Sequence, residues 1–543
     1  MGLFGIFAHG MCDTFEMEKA LIGLVACEAE RHTAVNITRW TEAALKGIGL
    51  TVKDLLGNND ADGLAGVVAS ATRKHLDQAA LDRLGISAEN AQPDEFIFKK
   101  VSDNGANIKS AWNNDDGKWA PCIDHTIELC TLPFTWIEKR KNQPDIAKGS
   151  VAESFSKGRG IVGYLHVSPN ALSDFHDCQK RVGLPEEQIE LDVKTRWRTA
   201  HNMADQLVFH KSAVQEMDTK PAYKDPGETW GKNKLSFENW DHLEESSACL
   251  MEAAVGSQLP EGDKYPTSPL VVPTVFRLIT YSAASEDVFV RNRDEDEFND
   301  PVLNPVMIPH NSLNSKVKEC REKYHTDLID RFDSDLPVSV KKFWYVATTL
   351  DPRFKNLTFD GDKMIKAHHK RDAIKWLTEE YNKTYKHKVY DPATAPSPAA
   401  AADPYADSSG ADGSETPQPH KRRKVSSASF FAPRAPAATA AAAPAPVPSS
   451  SEKKKPYSDE LKAYLALPQI DNTGEWSGVE WWKDNAELFP NLAVMARQYF
   501  GCPASSASVE RLFSHVGIAF SKKRRRANSD QIANIIFTKM NVP

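Results

Sequence analysis

Apolar residues near the N-terminus fall into two short runs of strand length, Phe4 to Met11 and Leu21 to Cys27. The polar stretch Asp13 to Lys19 between them suits a hairpin connection. Ile37, Trp40, Ala44 and Ile48 then recur at helical spacing, which predicts a helix over about Thr33 to Leu45. Phe96 to Val101 reads as a third strand, closed by the turn sequence Ser102-Asp103-Asn104-Gly105. A helix carrying Ile108, Ala111 and Trp112 follows. From about Ser150 to Lys388 the pattern is mainly helical, clearest over Asp192 to Leu207 and Val338 to Thr348. Near the C-terminus, Pro490 can open a helix with Leu492, Met495, Ala496 and Tyr499 on its apolar face, stopped by Gly501-Cys502-Pro503. Ser505 or Ser506 can cap the next, which presents Val509, Leu512, Phe513 and Val516 and ends at Gly517. A last helix, from Ser529, would bury Ile532, Ile535, Ile536 and Met540.

One segment breaks this pattern. Between Asp391 and Pro456, Ala, Pro and Ser dominate, and too little apolar surface is available to offset chain entropy, so a disordered linker is expected. Four regions follow: 1–149, 150–390, the linker 391–456, and a compact helical part at 457–543.

Composition narrows the class. The 543 residues are 41% hydrophobic and 26% charged, ordinary for a globular chain of more than one domain. The net charge of −7 gives no overall attraction to nucleic acid, so any DNA contact must use local basic clusters. Lys421-Arg422-Arg423-Lys424 in the linker reads as a nuclear localisation signal; its plain alternative is a solvated charge run. Lys522 to Arg526 form a second basic run. No apolar run approaches the roughly 18 residues of a membrane span. The eight cysteines are scattered without a C-x-x-C pair, which favours a reducing compartment over a disulfide framework.

Four separated stretches give the chain a family likeness. They are Val101-Ser102-Asp103-Asn104-Gly105-Ala106-Asn107 with Cys122-Ile123-Asp124-His125; Asp192-Val193-Lys194-Thr195-Arg196-Trp197; Leu350-Asp351-Pro352-Arg353-Phe354-Lys355; and Trp481-Trp482 through Pro503 to Ser514, containing Val509-Glu510-Arg511-Leu512-Phe513. In this order they resemble the hAT superfamily of cut-and-paste DNA transposases. The resemblance implies an α/β plus α fold: an RNase H-like core, incomplete at its first strand, interrupted by a helical insertion and completed by a helical C-terminal dimerisation region. It also implies phosphoryl transfer with two divalent ions, Mg²⁺ or Mn²⁺, because carboxylates are the hard ligands such ions prefer.

On that resemblance Asp103 matches the second catalytic carboxylate and metal ligand, and Glu510 the third. By themselves they read as a turn Asp and a solvated helix Glu. The family's first carboxylate precedes the two opening strands. Asp13 falls after the first of them and does not take the role, so the chain as written lacks that ligand and the upstream zinc finger. Cys122 and His125 match a C-x-x-H motif near the active site; they are half of a tetrahedral zinc site, and a buried Cys with a helix His fits as well. Arg196 and Trp197 match a DNA-holding pair, one cation for phosphate and one ring for stacking. A core Trp beside a surface Arg fits equally. Trp481, Trp482, Leu492, Leu512, Phe513 and Ile536 form the mixed core and interface set of the dimerisation region.

The expectation is a transposase-derived nuclear protein that forms a homodimer or larger assembly and binds DNA, with an incomplete catalytic triad and no membrane or small-molecule partner. The alternative is an active cut-and-paste transposase whose N-terminal part precedes this sequence.

Overall fold

The computed structural model describes residues 2–11, 15–27, 33–41 in part, 100–112, 119–135, 146–193, 197–262, 264–290, 306–359, 363–364, 367–387, 456–470 and 478–519. These are mostly helical, with a few short strands. The linker 391–455, with Lys421 to Lys424, lies outside them, as do Arg196, Lys522 to Arg526 and Ile536.

Strand β1 (Gly2–Met11) pairs antiparallel with β2 (Met17–Cys27), with a register shift between Ile6 and Phe7. Both predicted strands are present, each beginning a few residues early. Phe15 at the hairpin tip adopts φ 59 and is buried. A bulky residue in that left-handed region is strained, by about 1 kcal/mol or more. Its ring stacks on Trp482 at 6.4 Å with 7° between planes, and Arg497 lies 5.4 Å from it.

β3 (Lys100–Ser102) is followed by α1 (Ala106–Trp112) and then β4 (Trp119–Pro121), which pairs parallel with β3. Then come α2 (Ile123–Thr135), α3 (Val151–Val167), α4 (Pro169–Arg181), α5 (Trp197–Phe209), α6 (Lys211–Met217), α7 (Phe237–Gly256) and α8 (Val271–Ser282). Their starts follow capping chemistry. Ser150 accepts from Glu153 N at α3, Pro169 opens α4, and Ser236 with Asn239 closes a capping box at α7. The helix expected from Asp192 instead begins, among the described residues, at Trp197. Asp192 is held outside it because Arg159 donates three hydrogen bonds of 2.6–2.9 Å to its carboxylate. A buried ion pair with α3 outweighs local helical propensity there.

The hairpin β5 (Val288–Val290) with β6 (Val306–Ile308) precedes α9 (Ser315–Ile329) and α10 (Val338–Leu350). A two-residue hairpin, β7 (Thr358–Phe359) with β8 (Lys363–Met364), leads to α11 (Ala367–Glu380). The C-terminal region supplies α12 (Glu460–Ala466), α13 (Gly478–Asn485), α14 (Pro490–Phe500) and α15 (Ala507–Ala519). Ser505 Oγ accepts from Ala507 N at 3.0 Å, as capping required. Gly517 does not end α15, which runs on to Ala519; a helix interior tolerates Gly at about 1 kcal/mol. Among the described residues the strands form four separate two-stranded sheets rather than one, with β1 packed against α14 and α15.

The C-terminal region is built into the main core, whose buried cluster runs from Phe15 to Ala504. Its dock is the stretch Leu350 to Lys355. Trp482 Nε1 donates to Leu350 O at 2.9 Å, Tyr464 Oη to Thr349 O at 3.0 Å, and Ile470 N to Pro352 O at 3.0 Å. Lys355, 1% exposed, donates to Tyr464 O at 2.7 Å and to Leu467 O, so it satisfies the last carbonyls of α12. Asp351 is clasped by Arg353 at 2.7–3.0 Å, and Gly478 packs so close that a Cβ there would meet Asp351 Oδ1 at 2.6 Å.

Candidate functional site

The parallel pair β3 and β4 delivers two segments side by side. Asp103, exposed, follows β3 and accepts from Gly105 N at 3.1 Å, an Asx turn. Asn104 Nδ2 donates to Thr126 Oγ1 at 2.9 Å, and Cys122 N donates to Ser102 O at 2.7 Å. Asp103 thus stands beside the Cys122 to His125 turn.

Cys122 is fully buried, and its Sγ accepts from Ser506 N at 3.3 Å; Ile123 N donates to Ala504 O at 3.1 Å. These two bonds fasten the start of α2 to the residues that open α15. Burial alone would raise the Cys122 pKa, but its hydrogen bond and charge interaction with His125, and then Ser506, hold it below the usual thiol value. The Cys122 partnership raises His125 to about 9, against the effect of burial. Cys122 and His125 are therefore an electrostatically coupled pair, each favouring the charged form of the other. His125 Nδ1 lies 3.6 Å from Glu510 Oε1, so the pair continues to the carboxylate. Asp124 between them has both carboxylate oxygens buried without a hydrogen-bond partner among the described residues. Burial, then the Cys122 charge and Glu261, hold it well above the usual carboxylate range.

Behind Cys122, which stays enclosed, His125 and Glu510 open onto a cavity of about 530 Å³ between α2, α5 and α15, lined also by Trp197, Arg198, Glu261 and Phe513 among others. Trp197 is 4% exposed, so most of its ring is core and only part faces the cavity. Arg198 donates to both Glu261 carboxylate oxygens at 2.6 and 3.1 Å. Arg511 Nη1 donates to Glu261 O at 3.0 Å.

Four expected site residues, Cys122, His125, Trp197 and Glu510, come together here from three distant stretches. Asp103 is close in the chain but is not part of the cavity lining. Trp482, Leu492 and Leu512 are completely buried within the chain and Trp481 nearly so, whereas Phe513 is exposed at the cavity. Sequence reasoning missed Arg198, Glu261 and Asp124. Asp124 lies inside the C-x-x-H stretch and Arg198 directly follows the Arg-Trp pair, so proximity to those motifs was the available signal; nothing marked Glu261. Among the described residues, no three His, Cys, Asp or Glu side chains come together as a metal-holding group. The donor set of Asp103 and Glu510 does not fit a divalent ion by itself.

Comparison with known proteins finds two regions of similarity along the chain. Residues 146–248 match the ZBED1 RNase-like helical domain, and residues 460–542 match the hAT family C-terminal dimerisation region. Over 443 residues, 82% of this chain, the sequence is 21% identical to human zinc finger BED domain-containing protein 4 and covers 31% of that protein. Over 82 residues it is 28% identical to the putative AC and AC9 transposases of Zea mays, covering 15% of this chain and 10% of each. The chain spans under a third of the length of these relatives. Both matched regions and these relatives make the chain similar to transposases of the hAT family and to proteins related to them.

Proposed function

We propose that this protein self-associates through its C-terminal region and binds DNA at the cavity, within an RNase H-like arrangement, in the nucleus. The observation that carries the reading is the convergence of Glu510, His125, Trp197 and Arg198 on one cavity. An arginine supplies a planar fork for phosphate, and the exposed Phe513 ring, together with the part of Trp197 that faces the cavity, supplies apolar surface for an unpaired base. Fluorescence anisotropy with labelled duplex and single-stranded DNA tests it. Binding that weakens in Phe513→Ala with melting unchanged supports the cavity as the interface; binding unchanged in that variant rejects it. Sedimentation of the full chain tests self-association, and a monomer at tens of micromolar would reject it. The Lys421 to Lys424 run is the import signal in this reading, tested by following a tagged chain in which all four are alanine.

The second reading is strand cleavage, favoured by Glu510 at the cavity with His125 3.6 Å from it. Nicking of supercoiled plasmid in Mg²⁺ or Mn²⁺ that is lost in Glu510→Gln would establish it. No nicking in either metal leaves binding as the function.

A further inference from the structure

We infer that Arg198 is a phosphodiester-binding group of the cavity, and that Glu261 occupies its fork until a nucleic-acid backbone displaces the carboxylate. The inference rests on the cavity's being the DNA interface.

Arg198 lies in the first turn of α5, one residue after Trp197, and Glu261 lies in the connection between α7 and α8. Both line the cavity, with side chains 31% and 29% exposed, so the pair is neither sealed in the core nor free in solvent. Its two bonds, 2.6 and 3.1 Å, are the bidentate geometry in which a guanidinium also grips a phosphodiester. Replacing one oxyanion by the other conserves both N–H···O bonds. The exchange therefore depends on charge and concentration, not on remodelling the site.

Glu261 is not needed as a strut. Its own backbone carbonyl is held by Arg511, and Tyr265 Oη donates to Leu259 O at 2.8 Å with Leu259 buried. The connection keeps these ties when the carboxylate is neutralised. The other acidic groups facing the guanidinium are Asp124 and Glu510. Glu128 lines the same cavity while both carboxylate bonds of the fork come from Glu261, so Glu128 supplies the control for a general loss of negative charge.

The experiment measures binding of a fluorescein-labelled duplex to the full-length protein across a salt titration, for wild type, Glu261→Gln, Glu128→Gln, Arg198→Gln and the double variant. Glu261→Gln is expected to bind about three- to tenfold more tightly than wild type, and more tightly than Glu128→Gln. Arg198→Gln is expected to weaken binding and lower the salt slope by about one ion. The double variant should bind no better than Arg198→Gln. An affinity of Glu261→Gln equal to that of wild type or of Glu128→Gln, or a gain that persists without Arg198, overturns the inference while the DNA-binding reading stands. No binding by any of the proteins removes that reading and the inference together.

Discussion

At the scale of the residue, buried ionisable groups carry the clearest expectations. Lys355 is pushed down to about 8 by desolvation. The folded protein then binds that proton less tightly than the unfolded chain, so stability rises with pH from about 8 toward 10.5, by at most about 3 kcal/mol. Melting of wild type and Lys355→Met across that range checks this: the wild type should gain relative to the variant. Cys122 and His125 give a spectroscopic expectation. His125→Ala should raise the pH at which Cys122 ionises, followed as the thiolate absorbance that Cys122→Ser subtracts. An unchanged midpoint would show that His125 does not lower the thiol. Motif spacing made Cys122 and His125 visible in the sequence. Their partner Ser506, 384 positions away, was not, because a hydrogen bond from a backbone amide leaves no mark on residue type. The Arg198–Glu261 pair, 63 positions apart, escaped for a related reason: any charged residue on a solvated face looks the same until its partner is placed.

At the scale of the element, apolar periodicity located helices well, at Val338–Leu350 by itself and at Pro490–Phe500 together with the proline that opens the helix. They failed at Asp192, where a tertiary ion pair decides the backbone, and at Gly517, where a weak helix former does not break the run. What the sequence pattern could not show is how elements cap one another. Glu460, 2% exposed, accepts from Asn491 N, Asn491 Nδ2 and Leu492 N at 2.7–3.3 Å, so the first residue of α12 caps the start of α14. Glu460→Ala should cost about 1–3 kcal/mol in chemical denaturation, because it leaves buried donors unsatisfied. Gly478→Ala should cost a similar amount, because the added Cβ strikes an Asp351 carboxylate that Arg353 fixes in place.

At the scale of the molecule, the core joins the residues before the linker to those after it. Continuity of the chain between them is then unnecessary for their association. A protease site placed within residues 391–455 should, once cut, leave both fragments in one peak on native gel filtration, separating only in denaturant. Two peaks without denaturant would show that the dock at Leu350 to Lys355 is weaker than its hydrogen bonds suggest. That the last region contributes to the interior of the first came from the family resemblance and not from composition, which cannot say which apolar faces meet. Trp481 and Trp482 are as consistent with an exposed sticky face as with a buried one until Phe15 and Tyr464 are seen against Trp482.

That stacking of Phe15 on Trp482 also sets a timetable for biosynthesis. At about 5–20 residues per second, Trp482 leaves the ribosome roughly half a minute to a minute and a half after Phe15. Throughout that interval the hairpin tip has no native shelter for its ring, and any nascent chain that stalls within the linker keeps it bare. A protein closed this way completes its interior only once residues 478–519 have been made, so its yield in a cell should depend on the chaperones that guard the hairpin of residues 2–27 in the meantime.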